Sequence, residues 1–326
     1  INNPMATFKG IKGFTVQSLA SDPTTTDSVG QFYYNSTSNA FKYVQPGGVA
    51  VGTWSSGGNL NTGRQEMTGS GVSQDSALAF GGDNGPGIVA LTETYNGTSW
   101  TEVADLNTAR SVLGGTGTAT AALAVGGSGS TVNTEVWNGS GWTEVNNLNT
   151  GKYNNSCAGI TTAAISVGGG PAQSTQVELW NGTSWTETTE VNSAKNGAAS
   201  SGTSTATIST GGMTPPAVAL TEIWNGSSWT EVADLNTARF QLNGFGLTTS
   251  ALVFGGNTNT TMVANTEAWN GSAWTEVNDL ATATQTMGSS SNASNTNGAS
   301  FGGIPTSVNT EEWTAPDVVI KTVTTS

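Results

Sequence analysis

The ionisable residues of this chain fall at repeated positions. Glutamates stand two residues before an aromatic at Glu93, Glu135, Glu178, Glu222, Glu267 and Glu311, and two residues after a tryptophan at Glu102, Glu144, Glu187, Glu231 and Glu276. Bases recur at Arg64, Arg110, Lys152, Lys195 and Arg239, five of the nine basic residues in the chain. Three kinds of chemistry suit such residues. Paired carboxylates serve glycoside hydrolysis. Opposed carboxylates can hold a hard cation such as Ca²⁺. A ring of bases attracts an anionic or carbohydrate ligand, and the five bases are the candidate ligand-binding residues.

Other chemistry is excluded by what the chain lacks. There is no histidine, so Ser-His-Asp catalysis is impossible. The single cysteine, Cys157 in "NNSCAGI", can form no intrachain disulfide and reads as a buried small hydrophobe. A sialidase-like site needs clustered arginines, but Arg64, Arg110 and Arg239 each occupy a separate repeat. The net charge of −13 argues against nucleic acid as a partner. No stretch approaches the length of an apolar membrane span. No cofactor is expected.

The elements that position these residues repeat as well. Gly-Gly pairs begin at Gly81, Gly126, Gly168, Gly211, Gly255 and Gly302. An aromatic follows each, at Tyr95, Trp137, Trp180, Trp224, Trp269 and Trp313, with spacings of 42, 43, 44, 45 and 44 residues. That period matches one four-stranded propeller blade. Within the second unit, "RSVLGGTGTA" (110–119), "AALAVGG" (121–127), "NTEVWNG" (133–139) and "WTEVNNL" (142–148) read as four strands. The continuous apolar run of the second implies burial on both faces. The Asn-Gly between the last two signals a hairpin.

That hairpin puts two aromatics across from each other. Trp100, Trp137, Trp142, Trp180, Trp185, Trp224, Trp229, Trp269 and Trp274 are therefore structural wedges between neighbouring units. Truncating one to Ala should cost roughly 3–5 kcal/mol. The same register sets Glu135 opposite Glu144, and like charges directly opposite destabilise a sheet. Water, splaying or a divalent cation would relieve them. "NGS" and "NGT" also match the N-glycosylation sequon, but the turn already accounts for them.

After the second aromatic a further phrase recurs. Trp100, Leu106 and Arg110 stand at offsets 0, 6 and 10, as do Trp142, Leu148, Lys152; Trp185, Val191, Lys195; and Trp229, Leu235, Arg239. Trp274 and Leu280 follow suit, but Thr284 replaces the base. Trp54, Leu60 and Arg64 fit although no Gly-Gly precedes them, and Trp313 never reaches a second aromatic. These complementary defects predict that the strand around Trp54 completes the last unit. The outcome is six blades over residues 51–313.

An apolar strand ending in Gly-Gly, an aromatic beside "YN" or "WN", and a following Trp together resemble the kelch-repeat family, whose fold is a β-propeller. Galactose oxidase carries such repeats in its central domain. The copper site that this resemblance would imply needs histidines and a tyrosine joined to cysteine, which are absent here. Kelch-type propellers are more often binding platforms than enzymes. The wording "TEVWNGSGW" and "TEVADLNTAR" is also similar to kelch-like virion and fibre proteins of marine bacteriophages. "VGQFYYNSTSNAFKYVQ" (29–45) looks like a short β-hairpin module from the attachment end of phage fibres.

The expected fold is an all-β, six-bladed kelch-type β-propeller with a short N-terminal β-hairpin and attachment segment. Residues 1–50 form the attachment arm, which carries Lys9 and Lys12, residues 51–313 the propeller, and 314–326 a C-terminal tail. A capping segment packed on the propeller is the alternative for the arm. The expected function is a non-enzymatic virion surface protein: a phage fibre, appendage or capsid or tail decoration, extracellular, that contacts a host-surface glycan or receptor or stabilises the particle. Its partners are other virion proteins through residues 1–50, and a homo-oligomer is compatible with that role. A secreted bacterial carbohydrate-binding propeller is the alternative, and a glycosidase-like enzyme the third reading. The loops after each Gly-Gly vary, from "DNGPGIVA" to "IPTS", whereas the Asn-Gly turns are nearly constant. The variable face is therefore expected to do the binding.

Overall fold

The structure is a computed structural model that describes residues 16–316 and 318–323. The expected positions of Lys9 and Lys12 lie outside the described residues. Among the described residues, 28 strands form seven four-stranded sheets. The chain divides into two compact units, one of residues 53–314 and one built from both ends of the chain.

Six sheets, here I to VI, lie within residues 53–314. Sheet I comprises Thr68–Ser73, Ser76–Phe80, Thr92–Tyr95 and Trp100–Glu102, antiparallel and in chain order. Sheet II comprises Gly114–Gly117, Ala122–Val125, Thr134–Trp137 and Trp142–Glu144. Sheets III, IV and V start at Ser156, Ala199 and Asn243 and repeat the order. Sheet VI combines Gly288–Ser289, Asn297–Phe301 and Thr310–Thr314 with Thr53–Ser56 from the far end of the chain. There Trp313 pairs with Trp54, as the complementary defects predict. The first strand of each sheet lies against the first strand of the next, and that of sheet VI lies against that of sheet I. This arrangement is compatible with a β-propeller.

The seventh sheet is one more than the repeats predict, and it corrects the reading of the tail. Phe32–Asn35 and Ala40–Pro46 form the expected hairpin. Gln17–Leu19 adds parallel on one side, and Val318–Thr322 antiparallel on the other. Val318–Thr322 is thus a strand of the N-terminal unit, where the sequence reading has only a C-terminal tail. Asp22 gathers this sheet: it accepts hydrogen bonds from the Tyr33 hydroxyl (2.7 Å) and from Lys42 Nζ (2.7 Å). The Lys42 contact holds the Asp22 carboxyl below its usual range.

In sheets I to VI the second strand supplies the core. Leu78, Ala79 and Phe80, and all of Ala122–Val125, are completely inaccessible. Small apolar residues suit a strand covered on both faces. Strands are shorter than the repeat suggests; in "RSVLGGTGTA" only Gly114–Gly117 is extended. The tryptophan register is as expected, with Trp137 opposite Trp142, Trp180 opposite Trp185, Trp224 opposite Trp229 and Trp269 opposite Trp274. Tyr95 sits opposite Trp100. The Asn138 side chain caps the intervening turn, accepting from the Ser140 and Gly141 amides at 3.0 Å, while Gly139 takes φ +92°.

The second tryptophan of each pair reaches the preceding sheet. Trp142 packs on Phe80 at 4.8 Å between ring centroids, and its indole N–H donates to Thr92 Oγ1 at 3.0 Å. Trp185, Trp274, Trp54 and Trp100 donate to Thr134, Thr221, Thr266 and Thr310 in the same way. Val177 stands at the matching place in sheet III and has no hydroxyl to offer. Trp229 donates to the Thr189 carbonyl instead. All eleven indole N–H groups are satisfied.

Candidate functional site

The five candidate ligand-binding bases do not face solvent. Arg64, Lys152 and Arg239 have no accessible surface, and Arg110 and Lys195 have 1% each. Each sits in the link between two sheets and pairs with the glutamate of the sheet it enters. The pairs are Arg64–Glu93 (2.8 Å), Arg110–Glu135 (2.8 Å), Lys152–Glu178 (3.4 Å), Lys195–Glu222 (3.0 Å) and Arg239–Glu267 (3.1 Å). The physical reason is the glutamate, which the strand pattern buries and which cannot stay charged there unpaired.

Further hydrogen bonds hold each pair, although the Nε atoms of Arg64, Arg110 and Arg239 are buried without a partner. Arg110 Nη1 donates to the carbonyls of Gly126 (2.7 Å) and Asn133 (2.9 Å), while Nη2 reaches Glu135. Arg64 and Arg239 repeat this with Gly81 and Leu91, and with Gly255 and Asn265. The other carboxylate oxygen of Glu135 accepts from the backbone and side-chain amides of Asn107, both at 2.8 Å. Asn61, Asn149, Asn192 and Asn236 do the same for their glutamates. These asparagines are absent from the sequence reading, although their fixed place after the leucine or valine marks them. Burial lowers the pKa of all five bases, and the paired glutamate opposes the shift.

The opposed carboxylates are present. Glu93, Glu135, Glu178, Glu222 and Glu267 lie in register with Glu102, Glu144, Glu187, Glu231 and Glu276. The conflict is relieved by the buried base on the inner member and by solvent on the outer one, which is exposed in every pair. Among the described residues no group of three or more acids, cysteines or histidines is placed to hold a metal. Cys157 is buried, and burial pushes its thiol up to about 12.

Two residues beyond each base, and beyond Thr284 in sheet VI, the chain turns toward the centre. Glu66, Val112, Asn154, Gln241 and Thr286 have φ between +49° and +54°, and Gly197 has +65°. A positive φ at a β-branched residue such as Val112 or Thr286 is a costly conformation that only surrounding structure enforces. Here the surroundings are a relay of backbone bonds from sheet to sheet. The amide of Val112 donates to Glu66, Asn154 to Val112, Gly197 to Asn154, Gln241 to Gly197 and Thr286 to Gln241, at 2.6–3.0 Å.

These residues rim a cavity of about 90 Å³ lined by the first strands of the six sheets. Asn155 and Ser291 line it, and Asn155 Oδ1 and Ser291 Oγ are buried without a hydrogen-bond partner. Asn292 crosses the far end, bonding to the carbonyls of Gly71 (2.9 Å) and Gly159 (2.7 Å). Bridges from Gln65 to Asp83, Asn196 to Met213 and Phe240 to Asn257 put the rim beside the variable loops, and among the described residues it presents amides and hydroxyls with Glu66 as its acid and no base. Tyr153 and Phe240, partly exposed, stand one residue before Asn154 and Gln241. No protein-family model matches the chain, and no curated protein matches it.

Sheet VI departs from the pattern. Thr284 stands where the others have a base and Ala281 where they have asparagine. Glu311 keeps a backbone hydrogen bond from Ala281, at 2.8 Å, but no base pairs with it among the described residues. Burial raises its carboxyl pKa above the ordinary 4.5, against the hydrogen bonds from Ala281 and Thr282. A raised carboxyl stabilises the fold most below about pH 4.5, and that contribution is lost as pH rises through the folded pKa. Glu311→Gln is therefore expected to raise the melting temperature at pH 7 and to lose this advantage below about pH 4.5. Melting curves across that range check it; an equal gain at both ends would show that ionisation is not the cause.

Proposed function

We propose that this chain is the displayed head of a virion surface protein, a kelch-type six-bladed propeller that binds without catalysing. The unit built from both chain ends is its attachment module, which joins other virion proteins. The propeller's variable face meets a neutral, hydroxyl-rich host-surface glycan. The virion reading rests on the resemblance of the repeat wording and of the hairpin module. The choice of a neutral ligand rests on one observation. All five candidate bases are consumed in buried pairs, so the rim offers amides and hydroxyls, with the partly exposed Tyr153 and Phe240 next to Asn154 and Gln241 in the chain. Such groups suit sugar hydroxyls and the apolar faces of pyranose rings. The sequence suggests a ring of bases that attracts an anionic or carbohydrate ligand; burial of those bases removes the basis for an anionic one.

An array of neutral and acidic host polysaccharides tests this reading. Neutral glycans should bind, with little change between low and high salt. Replacing Phe240 and Gln241 together by Ala should weaken binding at least tenfold while the melting temperature holds. Binding confined to acidic glycans and abolished by salt would overturn the ligand class, and release of shortened glycan would overturn the non-enzymatic reading. Immunogold labelling of particles with antibody to the chain tests the virion location.

A further inference from the structure

We propose that sheet VI carries a binding pocket for an external guanidinium or primary ammonium group, seated where the other five sheets place their own base. Sheets I to V show what sheet VI lacks. In sheets I, II and V a guanidinium lies between a glutamate and two carbonyls, those of the first glycine of the Gly-Gly pair and of the residue two before the glutamate. In sheets III and IV an ammonium stands against the same glutamate. The matching acceptors in sheet VI are the Glu311 carboxylate and the carbonyls of Gly302 and Asn309.

Thr284 is too short to reach them. Its hydroxyl turns to the Ile304 carbonyl at 3.2 Å. The space left is a cavity of about 80 Å³, lined by Glu311, Thr284, Gly302, Asn309, Ile304 and Ser307. That is room for several waters or one small organic cation. Unlike the five inner glutamates of sheets I to V, Glu311 is partly exposed, so the pocket is reachable from solvent. Its carboxyl is strained toward the neutral form by burial without a counter-charge. A cation would relieve that, and a chain of net charge −13 attracts one. The source is either a free cation or an arginine or lysine side chain of a partner; both present the same group.

Titration of the full chain with methylguanidinium, propylammonium and a short arginine-containing peptide, followed by NMR or calorimetry, tests this. Saturable 1:1 binding is expected, with a dissociation constant of about 1 mM for the free cations. A peptide bound at least tenfold tighter identifies a partner side chain as the source, and equal affinities identify a free cation. Glu311→Gln should weaken binding at least tenfold. Thr284→Arg should restore the internal pair, raise the melting temperature and abolish binding. The proposal is overturned if wild type shows no saturable binding, or if either variant binds as wild type does. Tighter binding of K⁺ or Ca²⁺ than of methylguanidinium also overturns it. Glu311→Gln decides the matter should Thr284→Arg fail to fold.

Discussion

A chain lacking residues 1–60 is expected not to fold its larger unit at all. The deletion removes Thr53–Ser56, the fourth strand of sheet VI. Thr310–Thr314 then becomes an open edge, with its amides and carbonyls unpaired. Trp54 goes too. Its ring packs on Trp313 at 5.4 Å and on Phe254 at 4.9 Å, and its N–H bonds Thr266 in sheet V. Beyond the strand, the backbone amides of Gly57 and Leu60 donate to Thr310 and Val308. Losing one buried tryptophan costs about 3–5 kcal/mol, and whole domains are stable by only about 5–15 kcal/mol. The strand and tryptophan together should exceed what the unit can lose. Circular dichroism and thermal melting of the truncated chain check this, and a melting curve like that of the full chain would contradict it. A synthetic peptide covering residues 51–64 should restore folding when added back.

The second large effect concerns the buried pairs. Glu135→Ala leaves the Arg110 guanidinium charged, 1% exposed and without its counter-charge. Breaking a buried pair in this way costs about 3–5 kcal/mol. For a unit of this size the melting temperature should fall by about 10 °C. Arg110→Met should do comparable damage by stranding Glu135. The double variant Arg110→Met, Glu135→Leu should recover much of the loss, because neither charge remains to be desolvated. If the single variants melt as wild type does, the pairs contribute nothing to stability. If the losses add in the double variant, the two side chains are not coupled.

Much of this architecture is legible in the repeat. The tryptophan register, the apolar second strand and the completion of the last sheet by Trp54 all follow from local pattern. They need only strand alternation and the Asn-Gly turn. The buried pairs are less legible. Arg110 and Glu135 lie 25 residues apart in different phrases of the repeat, so each reads as a separate ring of charge. Only the way a link enters the next sheet brings them together, and that turned a candidate binding surface into internal structure. The positive φ at Val112 and Thr286 has no signature in the sequence, because tertiary bonds between sheets enforce it against local preference. The strand Val318–Thr322 was hidden by its distance from the hairpin it joins.

The pairing of Thr53 with Thr314 has a mechanical consequence. The chain leaves the larger unit only at these two residues, which are opposite one another in sheet VI. A pull on both connections therefore loads two adjacent strands of one sheet at once. Neither strand is peeled from the other, and the load divides between them. For a pull along the strands, the pair must slide together past Asn297–Phe301, breaking that ladder in shear instead of unzipping one bond at a time. A unit held this way keeps its outermost strand in place under load.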